Sequence, residues 1–110
     1  MGLTKSEIFT KEQNELATLA KAFAHPARIA ILQEIIKTKT CICGNLVTEI
    51  GLAQPTISQH LRELKNAGII QGNIEGTSVC YCINPDRWSE VQHIFQTFFE
   101  SFSNTNEQCC

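Results

Sequence analysis

The sequence of 110 residues predicts one mainly α-helical domain with a small β-hairpin, in the order α-α-α-α-β-β-α. Two observations predict this class. Over most of the chain, apolar residues recur every three or four positions, which is the spacing of one helix face. Between Ile69 and Ile83 this spacing gives way to two strand-like runs joined by Glu75-Gly76-Thr77, which is typical of a hairpin. We expect a polar arm over residues 1–10, the folded domain over 11–103 and a tail over 104–110.

Composition counts against several classes of protein. Hydrophobic residues make up 43% of the chain and charged residues 18%, which favours a globular fold over disorder. No apolar run approaches the ~20 residues that a membrane-spanning helix needs. Residues 1–11 lack the apolar core of a signal peptide, so we expect a cytoplasmic protein with no membrane partner. The net charge of −2 gives no overall attraction to nucleic acid, so any such role would depend on how charge is distributed.

Two helices are predicted before residue 40. The first runs from Glu12 to about Ala24, and His25-Pro26 begins the second, because proline is accepted in the first turn of a helix. The second helix is expected to turn four apolar residues inward: Ile29, Leu32, Ile35 and Ile36. It should end near the polar stretch 38–40.

The next segment predicts a helix-turn-helix followed by the hairpin. Asn45 to Ile50 is interpreted as a short helix and Gly51 as the turn, and Gln54-Pro55 begins a second helix that ends at Gly68. This order is that of a winged helix-turn-helix, whose second helix is suited to the major groove of DNA. The residues predicted to contact DNA are Gln54, Thr56, Ser58, Gln59, His60, Arg62 and Lys65. A helix-turn-helix can also be purely structural.

The last helix, which opens at Asn84-Pro85, carries a wide aromatic face. Its apolar residues step by three and four positions: Trp88, Val91, Phe95, Phe98 and Phe102. A domain of this length has little core left to cover such a face, so a second subunit is the natural cover. The alternative is that the helix packs only on its own core.

Six cysteines fall into three close pairs: Cys41/Cys43, Cys80/Cys82 and Cys109/Cys110. In a reducing cytosol such pairs favour metal or redox chemistry over a disulfide framework. The alternative is that they are small core residues. The middle pair is expected on one face of a strand, opposite Val79, Tyr81 and Ile83.

Four stretches resemble, in order, the ArsR/SmtB family of bacterial metal- and thiol-responsive repressors: LAKAFAHPARIAIL, TCICGNLV, GLAQPTISQHLRELKNAGII and SVCYCI. The resemblance covers roughly Leu16 to Ile83. It implies a homodimeric winged-helix repressor that binds a palindromic operator in double-stranded DNA and releases it when an effector binds. It also implies a dimer interface made by the first and last helices, with Leu16, Leu19, Trp88, Val91, Phe95, Phe98 and Phe102.

The CICGNL stretch resembles the family's thiol motif, in which Cys-x-Cys stands at the start of the helix-turn-helix. Members with this motif sense arsenite, antimonite, cadmium or lead, and Cys41 and Cys43 match its first two thiols. Many arsenite sensors have a third thiol where this chain has Leu46. The resemblance implies no obligatory cofactor and a soft effector such as As(III), with Cd(II) and Zn(II) as further candidates, because soft thiolates select soft ions.

A third ligand would then come from elsewhere in the chain. Cys109 or Cys110 is favoured, since the flexible tail gives these residues reach. Cys80 or Cys82 is the other source, and that pair is otherwise a second soft-ion site or inert. The family's other metal site, on the last helix, is expected to be absent, because that region offers only Asp86 and His93.

Two other functions remain open. Paired thiols also suit a redox- or persulfide-responsive repressor of the same fold. Alternatively, the protein would be an interaction module with structural Zn²⁺ held by Cys41, Cys43, Cys80 and Cys82. The wing, which is the hairpin after the helix-turn-helix, is however expected to point away from the first cysteine pair. An enzyme is not expected, because no Cys-x-x-Cys on a βαβ unit, no Ser/His/Asp set and no phosphate loop is found in the sequence.

Overall fold

The computed structural model describes residues 5–44, 50–74 and 79–102. The helices with both ends inside these ranges are α1 (Lys5–Ile8), α2 (Lys11–Ala22), α3 (Pro26–Thr38), α4 (Gln54–Asn66) and α5 (Pro85–Glu100). The strands are β1 (Ile42–Cys43), β2 (Ile70–Asn73) and β3 (Cys80–Ile83). The predicted short helix over 45–50, the wing tip and the tail cysteines fall wholly or mostly outside the described residues.

Two helices begin where the sequence provides a cap and a proline. His25 Nδ1 accepts a hydrogen bond from Ala27 N (3.0 Å), and Pro26 occupies the first turn of α3. In the same way, Asn84 Oδ1 accepts a hydrogen bond from Arg87 N (3.2 Å) at the start of α5. Both predicted helix starts are therefore confirmed.

The three strands form one antiparallel sheet in the order β1-β3-β2. β2 and β3 are the predicted hairpin, with Ile70 opposite Ile83 and Asn73 opposite Cys80. β1 is an addition to the predicted fold, because a two-residue strand is too short to show alternation. It pairs with the other edge of β3, so that Cys43 also lies opposite Cys80. The predicted hairpin is thus corrected to a three-stranded sheet.

The core lies between α3, α4 and the sheet. Its fully buried side chains include Ile31, Ile57, Leu61, Leu64, Ile69, Ile70 and Tyr81. Ile29 and Ile36 were expected to face inward, but the structure leaves both exposed. At 3.6 residues per turn, each lies roughly 110° or more round the axis of α3 from the centre of its buried stripe.

α5 packs against α2 through only part of its aromatic face. Phe23, which follows α2, makes edge contacts with Trp88 and Phe95, at ring-centroid distances of 6.3 and 6.0 Å. Phe98 and Phe102, at the far end of the face, are 54% and 76% exposed. The first half of the face therefore covers the chain's own core, and the second half lies open in the single chain. Among the described helices, none combines the length and apolar character needed to span a membrane.

Candidate nucleic-acid interface and cysteine cluster

α4 turns a polar face to solvent. Ile57, Leu61 and Leu64 bury its opposite side in the core. Six of the seven residues predicted to contact DNA are exposed or half-buried: Gln54, Thr56, Ser58, Gln59, Arg62 and Lys65. A helix with such a face, followed by a hairpin, has a shape that fits the major groove.

Hydrogen bonds along α4 order this polar face. Arg62 Nη1 donates to Gln59 Oε1 (2.7 Å), and Gln59 Nε2 donates to Glu63 Oε1 (3.1 Å). Gln54 Nε2 donates to Ser58 Oγ (3.1 Å). These bonds join neighbours on one helix face, so they restrict the amide groups to that face. A glutamine amide presented in this way can pair bidentately with adenine.

Lys65 connects α4 to the wing. Its Nζ donates to the backbone carbonyl of Gly72 on β2 (2.6 Å). Gly72 has a φ of 119°, and a Cβ at this position would overlap the backbone of Cys80 and lie 2.9 Å from Cα of Tyr81. α4 is therefore bonded to the same sheet that carries the cysteines.

His60 is the exception among the predicted DNA contacts. Its side chain is 7% exposed, and its Nδ1 accepts a hydrogen bond from Arg28 Nε (3.1 Å). The ring of His25 lies 4.4 Å away, measured between centroids. Burial, followed by the charges of His25 and Arg28, lowers the pKa of His60, while Glu63 opposes the shift. The predicted groove contact is therefore corrected to a packing contact between α3 and α4.

We expect His60 to make folding stability depend on pH. The unfolded chain takes up a proton at His60 near the ordinary pKa of about 6.5, whereas the folded chain resists that proton. The contribution to stability is therefore full above this pH and is lost as the pH falls below it. A His60→Gln variant should show a shallower decline in urea midpoint between about pH 7 and pH 5 than the wild type. His93→Gln, at an exposed position on α5, is the control, and an equally steep decline in His60→Gln would contradict the assignment.

Four cysteines converge on the sheet. A disulfide joins Cys43 of β1 to Cys80 of β3, with Cα atoms 4.1 Å apart. Cys41 lies two residues before Cys43, and Cys82 lies two residues after Cys80. Because the two segments run antiparallel, Cys41 and Cys82 lie beside each other, and both are free thiols. A hydrogen bond between these two thiols raises the pKa of Cys41.

All four sulfurs lie on the outer face of the sheet because strand side chains alternate between faces. Tyr81, between the two hairpin cysteines, is fully buried, and Ile42, between the first two, packs against the core. The predicted placement of Tyr81 and the hairpin cysteines on opposite faces is confirmed. The expectation that the wing points away from the first cysteine pair is wrong, because β1 pairs directly with β3.

A surface cleft of about 460 Å³ borders Cys41 and Cys82. Ile36 gives it an apolar wall, and Lys39 also lines it. Gln71 Nε2 lies 3.9 Å from Cys82 Sγ and donates to it. In this disulfide-bonded form, residues 5–44, 50–74 and 79–102 offer no group of three or more His, Cys, Asp or Glu side chains arranged to hold a metal ion.

The residues predicted for the dimer interface fall into two groups. Leu19 and Val91 are 1% and 4% exposed, so they offer no surface to a partner, which corrects their assignment. Phe98 and Phe102 are exposed. A second cleft, of about 410 Å³, runs between α2 and α5, and Leu16 and Phe98 are among the residues that line it. Leu16, Phe98 and Phe102 thus remain as candidates on an open surface along α2 and the end of α5. Trp88 and Phe95 instead pack against Phe23 of the same chain.

The fold and the polar face of α4 define a winged helix-turn-helix DNA-binding protein. Residues 25–71 match the family described as bacterial regulatory protein, arsR family. An HTH-type transcriptional regulator of Methanocaldococcus jannaschii is 38% identical over 82 residues, which cover 74% of this chain and 91% of that protein. The chain belongs to the ArsR/SmtB family of transcriptional repressors. This family consists of DNA-binding regulators, so the prediction that the chain is not an enzyme is confirmed.

Two further comparisons agree with this assignment. The HTH-type transcriptional repressor SmtB of Mycobacterium tuberculosis is 40% identical over 63 residues, or 57% of this chain and 46% of that protein. The crystal structure of Rv0081 from the same species matches with a TM-score of 0.61 at 26% identity and covers 84% of this chain and 94% of that chain. The sequence comparison thus supports the family, and the structural comparison supports the fold.

Proposed function

We propose that the chain is a homodimeric repressor that reads a palindromic operator with α4 and releases it when a soft metal ion binds thiolates that include Cys41 and Cys43. The position of β1 carries this proposal. β1 lies between α3 and the helix-turn-helix in sequence, directly follows Cys41 and contains Cys43. In space, it pairs with β3 of the wing. A ligand bound there acts on elements that lie both before and after α4.

The DNA-facing surface supports two kinds of contact. Gln54 and Gln59 offer amides to base edges, and Arg62 and Lys65 offer positive charge to phosphates. The charge that matters is therefore local to α4, which is compatible with a chain whose net charge is −2.

A palindromic operator needs two copies of α4 related by a two-fold axis. The open end of α5 supports such a dimer, since Phe98, Phe99 and Phe102 form an exposed apolar surface beside the cleft along α2. Exposed aromatic patches of this kind mark surfaces that associate, and a self-complementary patch gives a two-fold pair.

Release follows from thermodynamic linkage between ion and DNA. If the ion binds the DNA-free dimer about 100-fold more tightly than the DNA-bound dimer, it weakens operator binding by the same factor, about 2.7 kcal/mol. The Lys65 to Gly72 hydrogen bond supports a route for this coupling, because it joins α4 to β2 of the same sheet. A shift of β1 against β3 would change how α4 and the wing fit one duplex.

A second candidate function is supported by the Cys43–Cys80 disulfide. The same fold would serve as a redox- or persulfide-responsive repressor, in which oxidation changes operator affinity without any metal. Operator affinity measured with and without a disulfide reductant, with a chelator present throughout, separates the two candidates. Equal affinities favour the metal-responsive repressor, and a large difference favours the redox-responsive one.

The DNA-reading role of α4 is tested with Gln59→Ala and Arg62→Ala on an operator selected from random duplexes. Gln59→Ala should reduce discrimination at one base position by about 1–3 kcal/mol. Arg62→Ala should weaken binding to specific and random DNA by the same factor. It should also reduce the slope of log affinity against log salt concentration by roughly one unit. Gln92→Ala, at an exposed position on α5, is the matched control and should bind as the wild type does. Equal weakening of specific and random DNA by Gln59→Ala would remove its base-reading role.

A further inference from the structure

We infer that Cys41, Cys43, Cys80 and Cys82 form one four-thiolate site for a soft divalent cation of the Cd²⁺ or Zn²⁺ type, and that the Cys43–Cys80 disulfide is its oxidised, metal-free form. The regulatory meaning of this site rests on the proposed function. The inference deepens that function by completing the ligand set and by naming the class of ion.

The pairing of β1 with β3 supplies the geometry. Each strand segment carries Cys-x-Cys, and the antiparallel register sets the two pairs opposite each other on one face. The Cα atoms of Cys43 and Cys80 are 4.1 Å apart across the sheet. Along a strand, residues two apart have Cα atoms about 6.6 Å apart, whereas a tetrahedral ion with Zn–S of about 2.3 Å needs sulfurs about 3.8 Å apart. Leaning each side chain inward by about 1.4 Å closes this distance along each strand. Rotation about the cysteine χ1 angles then has to turn the two pairs of sulfurs across each other to make a tetrahedron.

The surroundings also suit a bound cation. Tyr81 and Ile42 are packed into the core behind the cysteines and therefore fix the backbone that carries them. Gln71 Nε2 already donates to Cys82 Sγ, and hydrogen bonds of this kind orient and stabilise ligands. Lys39, which lines the adjoining cleft, places a positive charge near a site whose four thiolates and divalent ion carry a formal charge of −2.

The number of thiols selects the class of ion. Four sulfurs at one place suit a tetrahedral ion with only sulfur ligands. A pyramidal As(III) centre takes three thiolates and would leave the fourth unused. The site is also complete without the tail, so Cys109 and Cys110 are not required as ligands.

Loading begins with reduction of the disulfide. A dithiol reductant gives two electrons and two protons to the Cys43–Cys80 bond, which breaks to leave two thiols, and the reductant itself becomes a disulfide. The cation then displaces four protons from four thiols and forms four metal–sulfur bonds. The site changes from neutral to −2, and added negative charge opposes phosphate binding.

The test is a Cd²⁺ titration of the reduced, DNA-free full-length chain, followed by thiolate-to-cadmium charge-transfer absorption. Co²⁺ substitution reports coordination through its visible spectrum. We expect one ion per chain with a tetrahedral four-thiolate signature, and each of Cys41→Ser, Cys43→Ser, Cys80→Ser and Cys82→Ser should lose one thiolate's share of the absorption. The control Cys109→Ser/Cys110→Ser should match the wild type. Circular dichroism checks that each variant is folded.

Three results would overturn the inference. If Cys80→Ser and Cys82→Ser keep the full signature, the hairpin is not part of the site, and release through Cys41 and Cys43 can still hold. If the tail variant loses signal, the tail supplies ligands. If reduced wild type binds no Cd²⁺, the four-thiolate site does not exist, and operator release by arsenite then decides separately whether the proposed function survives.

Discussion

Replacing Cys41 and Cys43 with serine should leave the operator affinity of the metal-free, reduced protein unchanged and abolish its release from the operator by soft ions. A serine hydroxyl is close in size to a thiol but is a much poorer ligand for a soft ion. The wild type should lose about 100-fold in affinity when the ion is added, whereas the double variant should lose less than about twofold. Fluorescence anisotropy of a labelled operator, titrated with Cd²⁺ and separately with arsenite, measures both values.

Reducing conditions are essential in this experiment, because Cys43→Ser also removes the disulfide to Cys80. Cys109→Ser/Cys110→Ser is the matched control, with the same number of thiols removed at the end of the chain. It should release the operator as the wild type does. Normal release by the Cys41→Ser/Cys43→Ser variant would rule out the proposed mechanism, whatever the control shows.

A Phe98→Glu/Phe102→Glu variant is expected to be a folded monomer that binds the operator little better than random DNA. Both side chains are more than half exposed, so the change should spare the core. In a dimer, each glutamate would be a buried, unpaired charge, which costs several kcal/mol. A monomer offers one copy of α4 to a site built for two. Light scattering gives the mass, and operator binding gives the functional loss.

Ser89→Glu/Gln92→Glu is the control for added charge, since it places two glutamates at exposed positions on the same helix. This variant should remain a dimer. A dimer of unchanged mass and operator affinity in Phe98→Glu/Phe102→Glu would show that the open end of α5 is not the interface.

Much of the fold could be predicted because its signals are local. Proline and a capping residue at His25-Pro26 and Asn84-Pro85 identify two helix starts within a few positions. The spacing of Ile57, Leu61 and Leu64 identifies the buried side of α4, and the outward side then follows. The same spacing also predicts that His60 is buried, because His60 lies three residues after Ile57 and four before Leu64 on the same side of α4.

The cysteine cluster could not be predicted in the same way, because it depends on contacts between distant parts of the chain. Cys43 and Cys80 are 37 residues apart, and β1 has only two residues. Local periodicity carries no information about which strand pairs with which, or in what register. The repeated Cys-x-Cys spacing was the available signal, since equal spacing on two paired strands aligns the thiols on one face.

The most direct measurement is the operator affinity of the reduced wild-type protein, at fixed salt, with and without one equivalent of Cd²⁺ per chain. Salt must be fixed, because phosphate contacts make any affinity depend strongly on its concentration. The predicted result is a loss of about 100-fold on adding Cd²⁺, with full recovery when a chelator removes it. Equal affinities in the two conditions, in protein shown to have bound the ion, would contradict release by a soft metal ion.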